Sequence, residues 1–209
     1  MPRLVLISDT HGLHDKIKSI PDGDILIHAG DLSNKGDLKE VVLFNKWLKT
    51  LPHKHKIIIA GNCDFCFQKT PELARQEITN AIYLEDSSVE LEGLKFYGSP
   101  WQPWFFDWAF NEKRGMPLKK IWSKIPIDTD VLITHGPPYG ILDSVAKGGN
   151  VGCEELHKAI VERPNIKLHV FGHIHEAYGE EVENGVRYVN ASLCSLQYQI
   201  VNLAVVVDL

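Results

Sequence analysis

The stretch Leu4-Val5-Leu6-Ile7-Ser8-Asp9-Thr10-His11-Gly12 sets the pattern for the whole chain. A run this short and this continuously apolar reads as a strand covered on both faces. It passes without a break into a loop carrying a carboxylate and an imidazole. The same sequence grammar returns at Ile25 to Ile27, Lys56 to Ile59, Val131 to Ile133 and Leu168 to Phe171. Those runs lead into His28-Ala29-Gly30-Asp31, Gly61-Asn62, Thr134-His135-Gly136 and Gly172-His173-Ile174-His175. Five strand ends thus deliver Asp, His or Asn to one rim.

Charged and imidazole groups at a buried edge cost free energy unless they are paired or bound to metal. Asp9 and His11 are two residues apart in an extended loop, which lets both side chains point the same way, and His173 and His175 repeat that spacing. Mixed carboxylate, imidazole and amide donors suit manganese, iron or zinc better than magnesium or calcium, which prefer all-oxygen shells.

Between the strand-like runs, Leu38, Val41, Val42, Phe44, Leu48 and Leu51 recur at helical spacing over Asp37 to Leu51, and a second helix is expected over Cys153 to Val161. Asp37 and Gly152 fit their starts. Glu92-Gly93 and Asn184-Gly185 read as hairpin turns, flanked by Val89 to Leu91 with Leu94 to Tyr97, and by Val182-Glu183 with Val186 to Val189. A last strand is expected over Ile200 to Val207. The sum is a strand-rich α/β protein with helices enclosing two sheets. No repeat or linker divides it, so residues 1–209 read as a single domain.

The 209 residues are 44% hydrophobic and carry 22 basic against 27 acidic side chains, a formal charge of −5. Such a surface repels nucleic acid and anionic lipid, and any anionic ligand must be attracted locally. No apolar run reaches the length of a membrane span. The first strand begins almost at Met1, without a signal-peptide pattern, and four cysteines do not make a secreted disulfide framework. A cytoplasmic protein is therefore expected.

Asp9-x-His11, Gly30-Asp31-x4-Gly36, Gly61-Asn62, His135 and Gly172-His173-x-His175 match, in order and spacing, the calcineurin-like metallophosphoesterases. The chain also resembles, more narrowly, the small metallophosphoesterase-domain proteins first known from animal brain. That likeness rests on Tyr97-Gly98-Ser99-Pro100-Trp101-Gln102-Pro103, Thr134-His135-Gly136-Pro137-Pro138, Val170 to Glu176 and Tyr188-Val189-Asn190-Ala191-Ser192. The resemblance implies a four-layer α/β/β/α sandwich and activity on phosphodiesters, cyclic nucleotides included. It also implies a dinuclear site, with one divalent metal ion on Asp9, His11, Asp31 and His175 and the other on Asp31, Asn62, His135 and His173. All seven positions hold the residue type the family uses.

Two divalent ions, two carboxylates and a hydroxide leave a net charge of about +1 with neutral imidazoles, which matches a phosphodiester better than a monoester dianion. Two-metal chemistry then implies water acidified to a pKa of roughly 7, in-line attack on phosphorus and no covalent phosphoenzyme. Asp31, Asn62, Cys63 and His173 form the expected catalytic group. The partner is a small phosphodiester, with neither membrane nor nucleic acid expected.

Cys63 departs from the family, most of which places a histidine after the asparagine to assist the leaving oxygen. A thiol near dications is expected to ionise, and a thiolate cannot donate a proton. General-acid help is worth about 10²–10⁴-fold, so substrates with poor leaving groups should suffer most. Alternatively, Cys63 and Cys66 form a redox pair. His14 is a candidate substitute acid or else a solvated helix-start residue. In the aromatic segment at residues 101–110, Trp101 is the candidate to stack on a base or aryl group, and the segment otherwise reads as a self-packed loop over the sheet edge.

The cluster Gly148-Gly149-Asn150-Val151-Gly152 offers either backbone amides to an anion or a flexible loop. His28 and Asp64 are read as supports of the ligands, Asp64 equally as a turn residue, and His169 as a satisfied strand histidine. His53, His55 and His157 are read as surface groups. The rival functions are a phosphomonoesterase or protein phosphatase, and a scaffold of the same fold that turns nothing over.

Overall fold

The computed structural model describes residues 1–209. One sheet holds five strands in the order Val205–Asp208, Arg3–Ile7, Ile25–His28, His55–Ile58, Ile82–Tyr83, parallel except for the first. The other holds six, in the order Gly179–Glu183, Val186–Asn190, Leu168–Phe171, Val131–Thr134, Leu94–Ser99, Ser87–Leu91. Its four central strands are parallel, and each flanking strand is the outer arm of a hairpin.

Alternation along each strand explains why the runs are continuously apolar. Leu4 and Leu6 point between the sheets, where they join Ile25, Ile27, Ile57, Phe96, Ile133 and Val170 in a dry central layer. Val5 and Ile7 point the other way, onto the helices Leu38–Thr50, Phe65–Lys69 and Pro71–Glu77 through Val41, Phe44, Leu48 and Phe67. On the far side Tyr97, Leu132, Phe171 and Tyr188 meet the helices Met116–Trp122 and Glu154–Val161. The result is helices, sheet, sheet, helices: the expected four-layer sandwich, with every central strand buried on both faces.

The first long helix begins at Asp37 as its capping chemistry predicts, with the Glu40 carboxylate accepting the Asp37 N–H at 3.2 Å. The second is capped by Cys153 rather than Gly152: the Leu156 N–H reaches Cys153 Sγ, while the Gly152 N–H goes to Asp143. The tail departs further from expectation. Only Val205–Asp208 is strand, because the N–H groups of Val201 and Asn202 both turn back to the Leu193 carbonyl. The short helices Phe65–Lys69, Pro71–Glu77 and Met116–Trp122 carry too few turns to show a period in the sequence. No helix is long and apolar enough to cross a membrane.

Three of the buried histidines lie outside the donor cluster and support the framework. His53, expected at the surface, is buried and donates from Nε2 to the Pro21 carbonyl at 3.0 Å. His28 accepts from the Gly30 N–H at Nδ1 and so donates from Nε2 to Thr10 Oγ1 at 2.9 Å. The Thr134 hydroxyl is spent on the Gly136 carbonyl, so His169 must donate to it from Nε2, at 2.8 Å. Both rings are therefore held neutral, and burial pushes each pKa down to about 3.

A histidine whose native pKa is depressed leaves the unfolded chain binding more protons below the ordinary value of 6.5. Stability is then lost as pH falls from there toward 3, by about 2 kcal/mol per histidine at pH 5. His169→Gln keeps a donor to Thr134 but does not titrate. Scanning calorimetry of the metal-free protein at pH 7.5 and 5 should show a smaller loss of Tm in this variant than in the wild type.

Candidate metal centre

The parallel strands of both sheets end on one rim, and the loops leaving them interlock. The Asp9 N–H bonds the Gly30 carbonyl, His11 N–H the Asp31 carbonyl, and Gly172 N–H the His135 carbonyl, each at 3.0 Å. Asp9, His11, Asp31 and His173 all take left-handed backbone angles, with φ of 53°, 44°, 54° and 68°. Non-glycine residues rarely do so, and each costs on the order of 1–3 kcal/mol, held here by the surrounding packing.

Asp31 lies at the middle. Its Oδ1 accepts the Cys63 N–H at 2.7 Å and lies 3.5 Å from His135 Nε2, while Oδ2 lies 3.8 Å from His11 Nε2. On the Oδ2 side, His175 Nε2 is 3.2 Å from His11 Nε2 and 3.3 Å from Asp9 Oδ1. On the Oδ1 side, Asn62 Oδ1 is 3.0 Å from His135 Nε2, and the His173 ring stands edge-on to His135 with centroids 5.0 Å apart. Donor atoms of Asp9, His11 and His175, and of Asp9, Asp31 and His135, lie within 4.8 Å of one another. All seven sequence candidates thus meet in one place.

The donor chemistry fits divalent ions. The Nδ1 atoms of His135 and His175 face the carbonyls of Ala29 and Ser195 at 2.9 and 3.0 Å, so those nitrogens must carry protons. Each Nε2 is then the nitrogen turned toward the cluster, able to bind a cation that displaces its proton. Burial opposes charge on His135, yet the Asp31 carboxylate raises its pKa to about 9, so a proton there does what a cation would do. Burial pushes His11 down, and burial with the neighbouring His135 charge does the same to His173, keeping both neutral. Burial also works against charge on Asp9, but the hydrogen bond and charge of His175 outweigh it and hold the carboxyl well below its usual range.

Two glycines are needed for this closeness. A Cβ on Gly172 would stand 2.0 Å from Asp9 Oδ2, and one on Gly61 would stand 2.3 Å from Asp31 Oδ1. Asp64 does more than make a turn. Its buried carboxylate accepts the N–H groups of Leu32, Ser33 and Gly61 at 3.2, 2.9 and 2.8 Å, and so ties the Asp31 loop to the Asn62 loop.

Cys63 is buried beside the cluster, with Sγ grouped with His11 and Asp31 and 3.3 Å from Asn62 Nδ2. Burial and the charges of Asp31 and Asp64 push its thiol up, so without a cation the protein favours the thiol. Cys66 is a free, buried thiol that packs among Val41, Phe44 and Phe67, and Cys63 is likewise free.

Three expectations need correction. His14 is neither solvated nor at the site, since its ring is buried against Phe44 and Trp47. Trp101 does not face the cavity; its ring packs edge-on against Phe110 between the helical layers. The aromatic segment is pinned by pairing of Gln102–Pro103 with Asn111–Glu112, and its tip leans over the site, with Phe105 5.1 Å from the His173 ring. The glycine cluster is no open anion nest, because Asp143 already takes the backbone N–H of Gly152 and the side-chain amide of Asn150, while the Gly148 and Val151 N–H groups bond the Val145 and Asp143 carbonyls.

The cavity above the donors is about 220 Å³ and is walled by Phe105, Trp108, Ile174, Leu196 and Tyr198. Sequence reasoning missed these residues. Tyr198 sits at φ 54° with its ring edge-on to His11 at 4.7 Å, and nothing in the pattern of the tail marks it.

Residues 2–177 match the family model described as calcineurin-like phosphoesterase. The chain belongs to that family. Within it, human metallophosphoesterase domain-containing protein 1 is 46% identical across 99% of this chain and 71% of its own length. A UPF0046 protein of Caenorhabditis elegans is 41% identical over 92% of this chain and 75% of its own. The crystal structure of the Thermus thermophilus protein TT1561 superposes with a TM-score of 0.61, covering 90% of this chain and 88% of that one at 17% identity, which extends the likeness to the fold alone.

For this phosphoesterase, Gly172→Ala should displace Asp9 and lower stability by about 1–3 kcal/mol through overpacking. Elemental analysis after manganese loading should find fewer ions per chain in Gly172→Ala and in Asp31→Asn than in the wild type. Full loading of Asp31→Asn would remove the shared carboxylate from the site.

Proposed function

We propose that the chain is a phosphodiesterase working with two divalent ions, one held by Asp9, His11, Asp31 and His175 and the other by Asp31, Asn62, His135 and His173. The observation that carries this reading is the placement of the two Asp31 oxygens toward two separate histidine sets. Ions bound there supply an acidified water as nucleophile and positive charge for the phosphoryl oxygens. Manganese, iron or zinc suits the mixed donor set.

The chain's own residues favour a diester. No lysine or arginine lines the cavity, so nothing beyond the ions would offset the second charge of a monoester. The walls are instead aromatic and aliphatic, which suits a substrate carrying two organic groups on one anionic phosphorus. Asp31 is kept in its orientation by the Cys63 amide, and the Asn62 side chain lines the cavity floor.

A thiol at position 63 is a weak donor where a histidine would be a strong one. The enzyme therefore acts best on diesters whose leaving group departs without a proton, such as aryl esters. Manganese-loaded protein should show a kcat/KM at least about tenfold higher on bis(4-nitrophenyl) phosphate than on 4-nitrophenyl phosphate. The reverse order would refute diester preference, and absence of turnover on both would favour a scaffold. Cys63→His should raise turnover of alkyl esters by about 10²-fold or more while changing aryl esters little; an equal effect on both denies the leaving-group role.

A further inference from the structure

Phe105, His173 and Ile174 border the donor cavity on one side and a second, more apolar cavity of about 260 Å³ on the other. The second cavity lies between the tip of the aromatic segment, through Pro103 and Trp104, and the loop carrying Val145 and Val151, with Pro137 also in its lining. Its volume is close to the lower end of small-molecule sites, about 300–1,000 Å³, which suits one aromatic ring system. Arg114 also borders it. That guanidinium donates to the Val151 and Gly152 carbonyls at 2.7 Å each and pairs with Glu154, so its charge is already paired and three of its five N–H donors are engaged. A second phosphate would find no free cation here, whereas an uncharged ring would meet proline, valine, tryptophan and phenylalanine.

We infer that this second cavity binds the retained ester group of the substrate, an uncharged apolar group and most favourably an aromatic ring. This rests on the proposed phosphodiesterase activity. The cavity is bordered by His173 but not by Asn62, which lines the donor cavity. Apart from His173, which belongs to the donor cluster, its lining offers a departing oxygen only the committed Arg114 as a charged donor. It therefore accommodates the group that stays on phosphorus rather than the one that leaves. Phe105 stands at the junction, with one part of its surface toward each cavity.

The test uses two diesters with the same leaving group, phenyl 4-nitrophenyl phosphate and methyl 4-nitrophenyl phosphate, on manganese-loaded full-length protein. Wild type should prefer the phenyl ester by about tenfold in kcat/KM, the ratio that corresponds to roughly 1.4 kcal/mol of added burial. Val151→Trp, which fills the cavity, should bring the phenyl to methyl ratio close to one. Trp104→Ala, at a side chain already 60% exposed, opens the wall without loading the core and should lower the same ratio. Calorimetric titration with phenylphosphonate and methylphosphonate gives a readout independent of turnover, with the phenyl compound binding about tenfold tighter in wild type and losing that advantage in both variants. An unchanged phenyl to methyl ratio in the two folded variants overturns the assignment. If neither ester is hydrolysed, the phosphodiesterase reading fails, and the titration alone still supports or overturns the cavity.

Discussion

The two oxygens of Asp31 face different histidines, and the structure is arranged around keeping them so. A carboxylate can serve two cations only when its plane is fixed, and here the Cys63 amide holds one oxygen while Asp64, three hydrogen bonds deep, clamps the loop that supplies that amide. The left-handed backbone at Asp31 turns the side chain inward from the end of its strand. A buried cluster of carboxylates and imidazoles would be costly if left unpaired. Its cost is offset by the mutual pairing of Asp9, Asp31, His135 and His175, and falls further when a cation is bound.

The sandwich supplies the rigidity that this cluster demands. Parallel strands put their C-terminal ends on one rim, and the dry layer between the sheets fixes how the two rims meet. The bridge between Ser8 and Ser192 and the hydrogen bond from the Leu193 N–H to the Ser8 carbonyl join the sheets at that rim. Strain at four candidate ligand positions is tolerable because it is small beside the burial of a core of this size. Gly61 and Gly172 leave room where backbone and carboxylate come closest.

The floor and the walls of the candidate site come from different layers of the fold. The floor is polar and built from strand ends, so its geometry is shared with the fold. The walls come from the aromatic segment and from the tail around Leu196 and Tyr198, which are loops and free to vary without disturbing the sheets. Phe105 belongs to walls on both sides and links the metal centre to the apolar cavity beyond it. Cys63 modifies the floor itself, exchanging a proton donor for a thiol without altering the backbone amide that positions Asp31.

The strands that end at the site, the two long helices, both hairpins and the seven residues that meet there were legible in the amino-acid order, because each depends on local properties: alternation, capping chemistry and the residue type that ends a buried run. His28 could be read as a support for the same reason. The boundary of the tail strand, the burial of His14 and His53, and the part played by Asp64 were not legible, since each is set by groups remote in sequence. Choosing Trp101 over Phe105 and Trp108 failed on the same ground: composition marks an aromatic loop, but only the pairing of its base decides which rings turn inward. Sequence determined which atoms can bind and react, through side-chain chemistry carried position by position. Tertiary structure alone decided what surrounds them, because walls and distances arise from contacts between segments that the chain brings together only on folding.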